Sequence, residues 1–144
     1  MRRTGPSAPD NISAKIIRGK MPAVKVYEDD RVLAFMDVFP QAEGHLLVIS
    51  KASQARNLLE AEPEVLEDLA LATQRLARAA TRALQCDGIT ITQFNGTAAG
   101  QTVFHLHFHV IPRWADRPLA GHASGKMEDP VVLQDLADRI AAAL

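Results

Sequence analysis

One cysteine, Cys86, is all this chain offers, so an internal disulfide is excluded and the composition suits a reducing compartment. Long hydrophobic runs are missing too. None approaches the ~20 apolar residues of a membrane-spanning helix. The basic start Met1-Arg2-Arg3 leads into Thr4-Gly5-Pro6-Ser7-Ala8-Pro9-Asp10, which has no apolar core. That excludes a signal peptide and reads as a disordered tail over residues 1–10. Nor is there an excess of either charge: 16 basic residues against 17 acidic ones leave a formal net charge of −1. No global field therefore recruits nucleic acid or an anionic membrane. Internal repeats and low-complexity tracts are also absent. What remains is an ordinary composition, expected to form one cytoplasmic domain over 11–144 with length enough for a sizeable core.

The informative stretch is 103–113, Val-Phe-His-Leu-His-Phe-His-Val-Ile-Pro-Arg. His105, His107 and His109 alternate with Phe104, Leu106, Phe108 and Val110, the period of a strand whose residues i, i+2 and i+4 share a face. The strand rise spaces the three rings roughly 6.5–7 Å apart in a row. Pro112, having no N–H to donate, is expected at the strand's end or at an edge. A single histidine on a sheet is most often structural, but three in register point to chemistry. Two chemistries fit: metal chelation and histidine-based reaction at phosphorus. Rings aligned along one strand supply two zinc ligands more readily than three. The remaining candidates, His45, His122 and Cys86, show no chelating spacing.

The other elements follow from patterning. Residues 11–20 place Ile12, Ile16 and Ile17 on one side of a short helix that Gly19 can stop. Residues 24–27 and 32–36 form a hairpin with the polar tip Glu28-Asp29-Asp30-Arg31. His45 heads the buried strand Leu46-Leu47-Val48-Ile49-Ser50. Pro63 opens a long helix to about Gln85, with an apolar stripe of Val65, Leu66, Leu69, Ala72, Leu76, Ala80, Ala83 and Leu84 covering one face of the sheet. Gly88 is expected in its cap region. Residues 89–94 alternate as a strand and enter the small-residue loop 95–102. Residues 115–128 read as a loop. Asp129-Pro130 then starts a C-terminal helix lined by Leu133, Leu136, Ile140 and Leu144.

The run Gly100-Gln-Thr-Val-Phe-His-Leu-His-Phe-His-Val-Ile-Pro-Arg113 resembles the signature of the histidine triad (HIT) family of nucleotide hydrolases and transferases. The likeness extends upstream to Ala34-Phe35-Met36-Asp37, to Gly44-His45-Leu46-Leu47-Val48-Ile49, and to Lys15–Arg18 through Tyr27–Asp30, about residues 11–114 in all. It is nearest the single-domain Hint-like and bacterial Hit branch. The resemblance implies an α+β, HIT-like fold: a five-stranded antiparallel sheet with a long helix, a short N-terminal helix and a C-terminal helix, assembled as a homodimer. By the same resemblance His107 is the nucleophile, His109 contacts phosphate and leaving group, and His105 and His45 form the supporting proton network. Asp37 binds ribose hydroxyls, and Asn95, Gly100, Gln101 and Thr102 surround the α-phosphate. Ile12, Ser13, Ile16, Phe35 and Val38 line the base pocket, with Ser13 standing where an aromatic residue or cysteine is more usual. Many bacterial relatives hold a structural zinc through Cys-x-x-Cys on the first helix and a later histidine. Asn11, Ala14 and Ser53 occupy those places here, so neither metal nor other cofactor is expected.

The chemistry can be argued without the name. Reaction at an α-phosphorus needs a nucleophile, charge stabilisation and help for the departing group. A neutral imidazole attacks through Nε2 when its proton rests on Nδ1, held there by an acceptor. The Thr102 hydroxyl and the main-chain N–H groups near Gly100 can face phosphate oxygens, and a second histidine can act as general acid. Asp37 offers two acceptors to a vicinal diol, or else closes the next loop as an Asx turn. The expected activity is hydrolysis of purine nucleoside phosphoramidates or dinucleoside polyphosphates through a nucleotidyl-histidine. Alternatives are a nucleotidyl transferase and a nucleotide-binding interaction protein with incidental activity. The residues named all hold the nucleotide half, which leaves the leaving group open.

Overall fold

The computed structural model describes residues 23–119 and 126–144. Five strands form one antiparallel sheet: β1 (Lys25–Glu28), β2 (Val32–Met36), β3 (Leu46–Ser50), β4 (Gly88–Thr92) and β5 (His107–Arg113). Their spatial order is β1-β2-β3-β5-β4. Among the described residues two α-helices accompany the sheet, α1 (Pro63–Leu84) and α2 (Pro130–Ala142). The expected helix over 11–20 and the tail over 1–10 lie outside the described residues.

The β1–β2 turn is closed by Asp29, whose Oδ1 accepts from the N–H groups of Arg31 and Val32 at 2.7 and 2.8 Å. The sheet's two faces then divide by alternation. Val32, Ala34, Met36, Leu46, Val48 and Val110 pack into a single core with Leu69, Leu76 and Ala80 of α1 and with Leu133, Leu136 and Ile140 of α2. The opposite face carries the smaller cluster of Leu33, Phe35 and Ile49, joined by Leu47. Cα pairing sets Leu47 opposite His109 and Ile49 opposite His107, so both histidines lie on this second face, away from the helices.

Pro63 begins α1 as the patterning predicts, and Asp129 caps α2 through a 2.8 Å bond from Val131 N–H. Four expectations need correction. Helix α1 is closed by Gln85 in the left-handed conformation (φ 53°), its N–H bonded to Thr81 O, while Gly88 already pairs with Arg113 in β4. Strand β4 stops at Thr92, short of 94. Leu144 is 40% exposed rather than buried with the α2 stripe. Strand β5 starts only at His107: the N–H of Leu106 goes to Ala55 O at 3.0 Å, outside any ladder, so 103–106 form an irregular lead-in.

Gly44, just before His45, has φ +84°, and a Cβ there would overlap Leu84 Cδ1 and approach Pro112 Cγ to 3.2 Å. Gly44→Ala is expected to destabilise the fold by about 2–4 kcal/mol, combining left-handed strain with overpacking against α1 and β5. An unchanged urea midpoint would show that the turn relaxes freely.

Candidate active site

The site grows from the seam between β3 and β5. His109 lies on β5 and is 2% exposed; His45, one residue before β3, is fully buried. Their rings meet edge to tilted face, with His45 Nε2 2.9 Å from His109 Nδ1. The direction of that bond follows from a backbone donor. Gln41 N–H gives its hydrogen to His45 Nδ1 at 3.0 Å, which leaves the neutral ring's proton on Nε2. His45 therefore donates to His109 Nδ1, and the proton of neutral His109 resides on Nε2.

His107 is held differently. Its Nδ1 lies 2.7 Å from the carbonyl oxygen of His105, an acceptor that only an Nδ1–H can satisfy. Nε2 of this half-buried ring thus keeps its lone pair. The two β5 rings lie 5.0 Å apart in an edge-on arrangement. His105 precedes the strand and is 3% exposed; its Nε2 is 3.4 Å from Ser50 O. Burial pushes its pKa below the ordinary 6.5, outweighing the opposing effect of the Ser50 bond. Of the three rings expected in one row, two stand on the strand and the third anchors its approach.

Asp37 follows β2 and pairs with the residue before β3, its N–H bonded to His45 O at 3.0 Å. Its carboxylate divides: Oδ1 accepts from Phe39 N–H at 2.8 Å, the Asx turn, and Oδ2 lies 3.5 Å from His45 Nε2. Phe35 is buried nearby on the same face and Val38 is 37% exposed. Ile12, Ser13 and Ile16 lie outside the described residues, as do Asn11 and Ala14.

The loop 95–102 is tied down by its own amides. Gln101, 2% exposed, accepts from Gly96 N–H through Oε1 at 2.7 Å and donates through Nε2 to Arg56 O and Val103 O. Both of its amide hydrogens are used, so it shapes the loop. The Asn95 amide pairs with that of Gln93 and accepts from Leu58 N–H at 2.9 Å. Gly100 (φ +102°) and Thr102 are exposed. The neighbour that does touch the histidines is Phe94, its ring 5.6 Å from that of His109. Phe94 lies two residues past the end of β4, whose last residue, Thr92, is the partner of His109. Periodicity alone hides this, because it shows alternation but not register. Gln41 and Ser50 contribute through the backbone and leave no signal in residue type.

Asp37, His45 and His109 present ligand atoms all within 4.8 Å of one another, close enough to hold a cation. The Gln41 donor argues for a proton there instead, because it keeps hydrogen on the His45 nitrogen that a metal would need. Ser53, at one of the places where relatives carry zinc ligands, is buried and donates to Glu62 Oε1 at 2.9 Å.

His105, His107 and His109 at alternate positions leading into and along β5, with His109 linked to His45 just before β3, fit the histidine triad pattern. The chain belongs to the HIT family: residues 18–116 match the HIT domain. It is 42% identical over 103 residues to protein hit of Bacillus subtilis, covering 72% of this chain and 70% of that one. It is 37% identical over 120 residues to the adenylylsulfatase HINT3 of Arabidopsis thaliana, covering 79% of this chain and 60% of the plant protein. Among solved structures, a Hit-like protein from Bartonella henselae superposes with a TM-score of 0.91 at 47% identity, covering 97% of this chain and all of that one. The α+β fold expected from the sequence is thus borne out.

Proposed function

We propose that this chain hydrolyses purine nucleoside phosphoramidates or dinucleoside polyphosphates at the α-phosphorus, through a covalent nucleotidyl-histidine on His107, releasing a nucleoside monophosphate. The supporting observation is the 2.7 Å approach of His107 Nδ1 to the His105 carbonyl, which holds the proton on Nδ1 and the attacking lone pair on Nε2. His109 takes the general acid's part, its tautomer set by the chain from Gln41 N–H through His45. His105 keeps its carbonyl aimed at His107 by its own anchorage to Ser50. The Gly100–Thr102 loop receives the phosphate oxygens, with Gln101 and Asn95 holding its shape. Phe35 and Val38 take the base; Ile12, Ser13 and Ile16, expected in the base pocket, lie outside the described residues. The name of the plant relative sets an adenylyl-compound hydrolase within the family. Incubating the purified chain with a panel of adenylated amines and dinucleotides tests the reading: AMP release from at least one is expected, and AMP binding without turnover of any would favour an interaction protein.

In this reading Asp37 Oδ2 accepts from a ribose hydroxyl while Oδ1 stays in its turn. Asp37→Ala is expected to weaken AMP binding by about 1–3 kcal/mol. Titration calorimetry with AMP and its 2′-deoxy analogue checks this: wild type should lose a similar amount on the analogue and the variant little. Equal losses in both proteins would remove Asp37 from the ribose site.

The working unit is proposed to be a cytoplasmic homodimer. The outer edge of β4, with Ile91 43% exposed, is a surface of the kind a second chain covers. Light scattering is expected to give twice the chain mass; monomer mass across a dilution series would contradict it.

A further inference from the structure

Strand β5 divides the histidine face. On one side lie β3 and β2, with His45 and Asp37 at their ends; on the other lies β4. His109 is met from both sides, by His45 with ring centroids 5.2 Å apart and by Phe94 at 5.6 Å. Phe94 also underlies the loop, since a Cβ on Gly100 would sit 3.7 Å from its ring. An aromatic wall therefore stands beside the ring assigned to the departing group, on the side of the strand away from Asp37.

We propose that Phe94 is the residue that selects the leaving group, favouring one with an apolar face, such as an arylalkyl amine, over an anionic phosphate chain. The inference rests on the nucleotidyl-histidine reading and deepens it. In-line attack places the leaving group opposite the nucleophile. His109 must also reach the departing nitrogen to protonate it, which brings the leaving group beside the His109 ring and so beside Phe94. A phenyl ring offers no N–H and no charge, so a phosphate chain pressed there loses water without compensation. An arylalkyl amine instead buries apolar surface against the ring. In the first step the His107 Nε2–phosphorus bond forms, the phosphorus–nitrogen bond breaks, and the amine leaves with the proton of His109 Nε2, which a proton from solvent replaces so that the ring stays neutral. Water then attacks phosphorus, breaks the bond to His107, and releases its proton to solvent.

The test compares kcat/KM for AMP release from the phenylethylamine phosphoramidate of AMP and from diadenosine tetraphosphate, in wild type, Phe94→Leu and Phe94→Asn. Wild type should favour the amine substrate, and Phe94→Asn should cut that preference roughly tenfold or more, the scale of a lost apolar contact in a specificity pocket. Phe94→Leu should retain most of it, and both variants should bind AMP nearly as wild type does. A preference unmoved in Phe94→Asn, or equal losses on both substrates in both variants, would overturn the assignment while leaving the hydrolase reading intact. No AMP release by wild type from either compound, or from the wider panel, would defeat the hydrolase reading and this inference with it.

Discussion

His107→Ala is expected to abolish AMP release from every substrate, a loss of at least ~10⁴-fold in kcat, while AMP binding survives. The magnitude follows from what the ring alone supplies. Its Nε2 carries the lone pair, because the bond from Nδ1 to the His105 carbonyl holds the proton on the other nitrogen. No neighbouring group can replace it at the same place: His109 Nδ1 is occupied by His45, and His105 is buried and anchored to Ser50. In the proposed reading the binding contacts come from elsewhere, chiefly the Asp37 carboxylate, Phe35 and the Gly100 loop. Steady-state kinetics together with AMP titration separate the two effects. A variant that loses AMP binding in proportion to activity would make His107 a binding group.

His109→Asn is expected to slow turnover by about 10²–10⁴-fold for a substrate with a basic amine leaving group. For a good leaving group the loss should shrink toward unity, because such a group departs without a proton. Asparagine is the informative replacement here. Its side-chain oxygen can take the position of Nδ1 and still accept from His45 Nε2–H, so the buried pair is not left broken while the donating Nε2–H is removed. Rates measured across a series of leaving groups should give a steeper dependence on leaving-group basicity in the variant. Parallel plots would assign the proton to another donor.

Much of this site is legible in the sequence because its key side chains sit on regular elements. Alternation places His107 and His109 together, and the apolar run after His45 identifies a neighbouring buried strand. The misreadings arise where backbone takes over from pattern. His105 keeps the two-residue spacing, yet the strand starts after it, because Leu106 N–H finds Ala55 O instead of a ladder partner. The proton order rests on Gln41 N–H, and every residue except proline carries that donor. The resemblance sets Asn95 around the α-phosphate; its amide here pairs with that of Gln93 and accepts from Leu58 N–H, while the adjacent Phe94 meets His109. The α1 cap shows the same limit: Gly88 is the better left-handed residue by type, but the helix ends three residues earlier, at Gln85.

The most direct test of a nucleotidyl-histidine is mass spectrometry of the intact chain, quenched at neutral or alkaline pH after mixing with an adenylated substrate, because a phosphorus–nitrogen bond to imidazole is lost in acid. An added AMP mass, mapped by peptide fragmentation to His107 and missing from His107→Ala, is the predicted result. An adduct on another residue, or one that persists in His107→Ala, would contradict the account.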